Sequence, residues 1–298
     1  MKPRPIGPSH CPIRKPFDRP RFSIILRLVK LNARHAPCLC LIARLALLTG
    51  AGSSSPAADT GLAARSGEAD YFDPAVLTGT IYAKGGNPGA ILFTFRRTAS
   101  RDGSTVRVLR EFSRPDGTVV SREKVLYDAG KLVSCQTEEP LIGTRGSILV
   151  QSYPKDPRER RVDFEYIPEP GGGKRIGNEK LEKDMLVNDM VAPFLAAHWN
   201  ELTNGLTVRC RLVALTRAET VGFKFFKDSE TFWRGKPAVL VTMQPTSWII
   251  ARLVDPIVFT VEAGGQHRIL QYVGRVTPRI PKGNKWADVD GVSVYDWN

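Results

Sequence analysis

The 298-residue chain is poor in the residues that most enzymes use for catalysis and metal binding. Of its four histidines, only His198 and His267 lie beyond the first 58 residues. They are far apart in sequence and neither belongs to a His-Glu-x-x-His motif, so the sequence does not indicate a histidine-based metal site. It also has no Gly-x-Ser-x-Gly elbow and no Gly-x-x-x-x-Gly-Lys-Ser/Thr phosphate loop. We therefore predict no catalytic residue, no metal and no cofactor.

Acidic residues are almost absent from the N-terminal part of the chain. The whole chain has 43 Lys and Arg against 30 Asp and Glu, a net charge of +13. Ten of the basic residues and a single acid, Asp18, lie in residues 1–58, so most of the excess charge is there. The remainder is only mildly basic and lacks the concentrated positive charge of a nucleic-acid-binding protein. We expect no nucleic-acid partner.

Long apolar runs are also missing. No stretch approaches the roughly 20 apolar residues of a membrane-spanning helix, so an integral membrane protein is not indicated. Residues 1–58 instead have the order of a secretory signal: a basic start, a short apolar run at 39–48, and a candidate cleavage site at Ser55-Pro56-Ala57. This order predicts a periplasmic or secreted protein. The Arg-rich, acid-poor leader also fits the alternative of an organellar transit peptide.

Only two cysteines, Cys135 and Cys210, remain after this leader. They lie in separate strand-like segments, and an oxidising compartment would permit a disulfide between them. Such a bridge would stabilise the fold by about 4 kcal/mol in the chain-entropy model. The alternative is a pair of buried free thiols that act as small hydrophobic residues. The sequence alone leaves both open.

Short segments rich in Val, Ile, Thr, Tyr and Phe recur after a polar linker at 59–75. Many alternate apolar with charged residues, a period typical of antiparallel strands with one buried face. The turn signals Pro115-Asp116-Gly117 and Asp128-Ala129-Gly130 separate neighbouring segments. Because no second linker follows, we predict one domain over 76–298 of mainly β, α+β class. The predicted strands are 76–83, 90–97, 104–112, 118–127, 131–138, 145–153, 161–167, 207–215, 220–226, 237–243, 257–262 and 268–273.

One long helical pattern interrupts the strands, near 178–202. It places apolar residues at three- and four-residue steps on two opposite sides, which predicts a helix enclosed by the sheet. Pro193 lies inside this pattern, so we expect a bend or a restart of the helix near 189–191. The segment 247–254 is short and ends at Asp255-Pro256, which favours a second helix of two turns over a strand.

Four stretches give the chain a family resemblance: Pro193–Leu202, Glu219–Phe226, Leu253–Thr260 and Arg268–Arg275. They resemble uncharacterised exported bacterial proteins that are similar to the lipoprotein-carrier superfamily. The resemblance implies a curved antiparallel sheet, a half-open β-barrel, wrapped around one kinked helix, with a concave face suited to apolar ligands. It implies no enzymatic activity.

Aromatic residues are concentrated in the half of the chain that contains the helix. Most are expected to fill the core, and Trp199, Trp248 and Phe225 are the candidates for lining a ligand pocket. The sequence thus favours an exported, non-catalytic protein that binds a lipid, an acyl chain or another apolar partner on its concave side. Two alternatives are a hydrolase with a carboxylate site at Asp255 or Asp228, and a cell-envelope assembly factor that acts through protein contacts.

Overall fold

The computed structural model describes residues 70–85, 89–153, 156–252 and 254–297. The leader, residues 1–58, and most of the predicted linker lie outside these ranges. The described chain is mostly β-strand, as predicted. The strands are Val76–Ala83 (β1), Ile91–Asp102 (β2), Thr105–Ser113 (β3), Val119–Asp128 (β4), Lys131–Glu139 (β5), Thr144–Tyr153 (β6), Asp156–Ile167 (β7), Arg175–Lys180 (β8), Met185–Leu186 (β9), Val208–Ala214 (β10), Glu219–Trp233 (β11), Lys236–Pro245 (β12), Ile257–Glu262 (β13), Ile269–Arg275 (β14), Ile280–Lys282 (β15), Lys285–Ala287 (β16) and Asp290–Asp296 (β17).

Fifteen of these strands form one sheet in the order β8-β7-β6-β5-β4-β3-β2-β1-β17-β14-β13-β12-β11-β10-β9. Neighbours are antiparallel except for the short β9, which runs parallel to β10. Tight turns make this arrangement possible, since most neighbours are consecutive in the chain. At one of them Ala129 and Gly130 both have positive φ, as the type I′ hairpin turn requires. The last strand, β17, returns to the middle and joins the two halves by pairing with both β1 and β14.

The sheet is strongly curved but it is not closed by strand pairing. Its edge strand β8 instead contacts the start of β11 and the residue before it. Glu179 accepts a hydrogen bond from the backbone N–H of Thr220 at 2.9 Å. A Cβ at Gly177 would lie 2.0 Å from the carbonyl oxygen of Ala218, so the close approach requires glycine here. These contacts cover part of an edge that would otherwise expose unpaired backbone groups.

The helical segment is shorter than the sequence pattern predicts. Residues 178–180 and 185–186 are strands, and the helical part begins only with a 3₁₀ turn at Asn188–Met190. It continues as α1 (Val191–Ala197) and α2 (Trp199–Thr203), which are separated at His198. Pro193 causes no kink because it lies in the first turn of α1, where its missing N–H has no helical partner. The expected helix over 178–202 was therefore wrong in its start, and the helical part begins near 189–191, where a bend or a restart was expected.

Only one side of these helices is buried. Leu195, Trp199 and Leu202 pack on the inner face of the sheet, whereas Asn200 and Glu201 are exposed. The second apolar side expected from the sequence included Leu186 and Val187. Those residues precede the helices in extended conformation, so the helices are amphipathic and not fully enclosed.

The remaining differences concern elements with weak sequence signals. The twelve strands predicted from the sequence are confirmed, but β2, β7 and β11 extend at one end five to seven residues beyond the predicted bounds. Strands β8, β9, β15, β16 and β17 were missed because they are short or rich in polar residues and glycine. The segment 247–254 contains the short helix α3 (Trp248–Ala251). Within the described ranges, no helix combines the length and apolar character needed to cross a bilayer.

Candidate functional site

A cavity of about 550 Å³ lies on the inner face of the sheet, beside the start of α1. Small-molecule sites in proteins span roughly 300–1,000 Å³, so the cavity has the size of a ligand site. Val191, Ala192 and Pro193 of α1 line it on one side. Strands from both halves of the sheet supply the rest, because successive residues of a strand alternate between the two faces.

The wall contributed by β10–β14 is apolar. We call six of its side chains the apolar wall. They come from five neighbouring strands and point to the same face. They include aromatic rings that pack on one another, such as Phe259 and Tyr272, whose centroids are 5.4 Å apart. An apolar chain would find continuous contact along this surface. The apolar wall consists of Leu212, Phe223, Met243, Ile257, Phe259 and Tyr272.

The opposite wall contains four charged residues, which we call the charge cluster: Arg97, Arg110, Glu123 and Asp189. The first three lie side by side on β2, β3 and β4, because Arg97 pairs with Arg110 and Arg110 pairs with Glu123 in the strand register. Two like charges directly opposite each other destabilise a sheet. The carboxylate of Asp189, delivered by the 3₁₀ turn before α1, lies next to both arginines.

Asp189 is the centre of the charge cluster. One carboxylate oxygen accepts a hydrogen bond from Arg97 Nε at 2.7 Å, and the other accepts from Arg97 Nη2 at 3.2 Å and from the Tyr127 hydroxyl at 3.0 Å. Arg110 Nε is 3.9 Å from the first oxygen. The side chain of Asp189 is only 2% exposed and that of Arg97 7%. This bidentate pair fixes the start of the helical segment on the inner face.

The remaining donors of Arg97 hold the segment before β1. Its Nη2 donates to the carbonyl oxygen of Tyr71 at 2.6 Å, and its Nη1 donates to the carbonyl oxygen of Pro74. The ring of Tyr71 stacks on Tyr127 with centroids 4.0 Å apart. The last residues of the predicted linker, 70–75, are thus packed against the domain.

Arg110 and Glu123 form the second ion pair of the charge cluster. Arg110 Nη1 donates to Glu123 at 2.7 Å, and Asn188 donates to the other Glu123 oxygen at 3.2 Å. The guanidinium also lies over the rings of Phe95 and Phe112, at 5.4 and 6.0 Å from their centroids. Burial opposes the charge on Arg110, but Glu123 and Asp189 outweigh it and raise the pKa of this residue. The raised pKa keeps Arg110 in its charged form.

Tyr127 is kept protonated by its surroundings. Burial raises its pKa well above the usual value, and the negative charge of Asp189 and the hydrogen bond to it add to the shift. The unfolded chain ionises this phenol at about pH 10. Folding stability from Tyr127 is therefore fully present below about pH 10 and is lost as the pH rises toward the folded pKa.

We expect Tyr127→Phe to reduce the alkaline sensitivity of the fold. At pH 8 the variant should lose about 1.5–3 kcal/mol in free energy of unfolding, because Asp189 loses a hydrogen bond. Above pH 10 the wild-type protein should lose up to about 1.4 kcal/mol per pH unit from this group, and the variant should fall less steeply. Urea unfolding at pH 8 and pH 10.5 measures both effects. Equal slopes in the two proteins would contradict the assignment.

The far end of the cavity is bordered by residues 275–279, which we call the strap. Arg279 crosses the inner face to the end of β5, where its Nε and Nη2 donate to one oxygen of Glu139 at 3.0 and 2.6 Å. Its backbone N–H donates to the other oxygen at 3.2 Å. Thr144 completes the contact, with a hydrogen bond from its hydroxyl to Glu139 at 3.1 Å. The strap and α1 therefore border the cavity from two sides.

The three aromatic residues expected to line a pocket lie elsewhere. Phe225 is fully buried and Trp199 is 6% exposed; both belong to the core beneath the helices. Trp199 stacks on His267, with centroids 4.4 Å apart. Trp248 is 66% exposed on α3, with Arg252 over its ring at 5.0 Å. None of the three belongs to the cavity lining.

Cys135 and Cys210 are free thiols in the structure, so the possible disulfide is not formed. They lie in two different core clusters, Cys135 with Val125 and Ile148, and Cys210 with residues that pack under the helices. Burial raises the pKa of Cys210 to about 12, with a contribution from Asp184, and raises the pKa of Cys135 well above its usual value. Thiols held in this way are poor nucleophiles.

The carboxylates considered for hydrolysis are both on the surface. Asp255 lies at the edge of the cavity with a 73% exposed side chain, 3.7 Å from Lys84. Asp228 is exposed at a bulge in β11. Within the part of the chain that the structure describes, no group of three or more His, Cys, Asp or Glu side chains could hold a metal ion.

Comparison with known proteins adds a likeness in structure. No protein-family model matches the chain, and no curated protein matches it. One solved structure that it resembles is a β-barrel-like protein of a domain of unknown function, DUF1849, from Brucella abortus. The two sequences are 7% identical, the TM-score is 0.36, and the match covers 74% of this chain and 96% of the other. A likeness of this extent indicates neither a ligand nor an activity.

Proposed function

We propose that the protein is exported by its basic leader and acts as a non-catalytic binding protein for a lipid, an acyl chain or a similar amphipathic molecule. The observation that carries this proposal is the cavity of about 550 Å³ on the inner face. Its volume and its apolar wall match the general character of small-molecule sites, which are mostly apolar with a few placed polar groups.

The two-sided lining of the cavity supports an amphipathic ligand. A molecule with one apolar and one polar end could lay its chain against β10–β14 and turn its polar end toward the charge cluster on β2–β4. The concave ligand face also agrees with the lipoprotein-carrier resemblance of the sequence. In this proposal the contacts come from Phe223, Met243 and Ile257, and Trp199 and Phe225 support them from the core.

A cavity-filling substitution in α1 tests the proposal. Ala192 lines the cavity and is partly buried, so Ala192→Trp should fill part of it. We expect the affinity for a fluorescent monoacylglycerol analogue to fall by about tenfold or more, which corresponds to about 1.4 kcal/mol. The readout is a fluorescence titration, and thermal unfolding verifies that the variant is folded.

Ala197→Trp is the matched control. Ala197 is in the same helix but is exposed and outside the cavity lining, so this variant should bind as the wild-type protein does. Equal losses in the two variants would argue against the cavity as the binding site. If the wild-type protein neither binds the analogue nor co-purifies with lipid in native mass spectrometry, the proposal is wrong.

A further inference from the structure

The charges around the cavity restrict the polar end of its ligand. We infer that this end is an uncharged hydrogen-bond acceptor, such as an ester or amide carbonyl, and that Arg110 is the residue that contacts it. The inference rests on the proposed function and specifies the ligand class of the same site. It also separates this site from one that binds free fatty acids through an unpaired basic residue.

Arg110 has a donor that the protein does not use. Its Nη1 is bonded to Glu123, and its Nε faces Asp189 at 3.9 Å. Among the described residues, no hydrogen-bond partner is present for Nη2. No buried side-chain nitrogen or oxygen in the same ranges lacks a partner, so Nη2 is not fully buried. Since Arg110 lines the cavity, this N–H group is available to an acceptor inside it.

The charge cluster has no positive charge left for an anion. The two positive charges of Arg97 and Arg110 are balanced by the two negative charges of Glu123 and Asp189, which lie directly beside them. A carboxylate placed on Arg110 would therefore also face two carboxylates in a poorly solvated site, where Coulomb repulsion is strong.

The charges of the other lining residues also disfavour an anion. Four arginines but seven Asp or Glu side chains line the cavity. Two of the arginines, Arg275 and Arg279, are already paired with Asp288 and Glu139. The excess of acids disfavours an anion. A cation in contact with Arg110 would be repelled by the positive guanidinium and could not accept its hydrogen bond. An uncharged acceptor gains the Arg110 hydrogen bond without either penalty.

A ligand series on the wild-type protein tests the inference without any substitution. Palmitate, 1-monopalmitoylglycerol and hexadecylamine share the same chain length and differ in the charge of the polar end. In competition with a fluorescent probe at pH 8, we expect the ester to bind about tenfold or more tightly than the acid or the amine. If the acid or the amine binds as tightly as the ester, the inference is wrong. If none of the three competes, the proposed function itself fails.

A charge-changing variant provides the second arm. Glu123→Gln keeps the shape and the acceptor oxygen for Arg110 but leaves one positive charge without compensation. The ratio of palmitate to ester affinity should therefore rise by about tenfold or more over that of the wild-type protein. Glu111→Gln is the control, because Glu111 pairs with Arg122 and lies outside the cavity lining, so its ratio should change little. An unchanged ratio in folded Glu123→Gln overturns the role of the charge cluster. If that variant does not fold, the wild-type series decides alone.

Discussion

Replacing Asp189 by alanine is expected to lower the free energy of unfolding by about 3–5 kcal/mol, the cost of removing one partner from a buried ion pair. The carboxylate accepts two hydrogen bonds from Arg97 and one from Tyr127, and all three groups are buried. Without it, Arg97 and Arg110 would face each other across β2 and β3 with only Glu123 to compensate them. Urea unfolding followed by circular dichroism measures the loss.

An exposed ion pair gives the matched control for Asp189→Ala. Asp288 is 2.7 Å from Arg275, but its side chain is 61% exposed and Asp290 is a second partner for the same arginine. Surface pairs of this kind contribute about 0–1 kcal/mol, so Asp288→Ala should have little effect on stability. Similar losses of unfolding free energy in the two variants would show that burial of the charge cluster does not determine its contribution to stability.

The charge cluster also explains how the start of the helical segment is positioned. The 3₁₀ turn and α1 have no side-chain hydrogen bond at their N-caps. Their position on the sheet is instead set by Asp189 and Asn188, which bond to Arg97, Tyr127 and Glu123. Because these bonds hold the first turn of α1 beside the cavity, the same residues that stabilise the fold also shape the candidate site.

The sheet could be predicted from the sequence because alternation is a local property. Segments such as 105–113 and 119–128 repeat the apolar period of two and are separated by turns with glycine. The helix was predicted poorly for the opposite reason. The residues 181–190 contain enough apolar side chains to fit a helical period, but tertiary contacts determine their structure. Met185 and Leu186 pair with β10, so they are extended despite the pattern.

Part of the candidate site was visible in the same alternation. In β3, Arg110 is two positions from Val108 and from Phe112, and in β4, Glu123 is two positions from Val125. Residues two apart in a strand share a face, so both charges belong to the buried face. A count of period two along these strands would have found them. Asp189 could not be found in this way, because its partner Arg97 is 92 positions away and only the folded chain joins them.

The preference for aromatic residues as ligand contacts did not identify the cavity lining. Large apolar rings are also the residues that fill the space between a curved sheet and a helix, and Trp199 and Phe225 do so. Only half of the apolar wall is aromatic, and its other members are Leu212, Met243 and Ile257. Cavity residues differ from core residues in their position on the inner face, beside the start of α1 and not under the helices. This position depends on the fold.

Phe225→Ala is expected to reduce the free energy of unfolding by about 3–5 kcal/mol, as for other large-to-small substitutions in a core. Phe225 is fully buried and contacts the rings of Phe194 on α1 and Phe259 on β13, at centroid distances of 5.6 and 6.1 Å. Removing it would leave a cavity between the helices and the sheet. Chemical unfolding measures the loss. Phe232→Ala is the control on the same strand, because Phe232 is 74% exposed and should contribute little.

A more conservative change at the same position separates packing from ligand contact. Phe225→Leu retains much of the apolar volume, so it should cost less stability than alanine and should leave the affinity for a fluorescent monoacylglycerol analogue within about twofold of the wild-type value. Fluorescence titration of folded Phe225→Leu measures this affinity. A clear loss of affinity without a matching loss of stability would show that Phe225 contacts the ligand, as its aromatic character suggested. Because Phe225 lies under α1 and outside the cavity lining, we expect the stability to change and the affinity to remain.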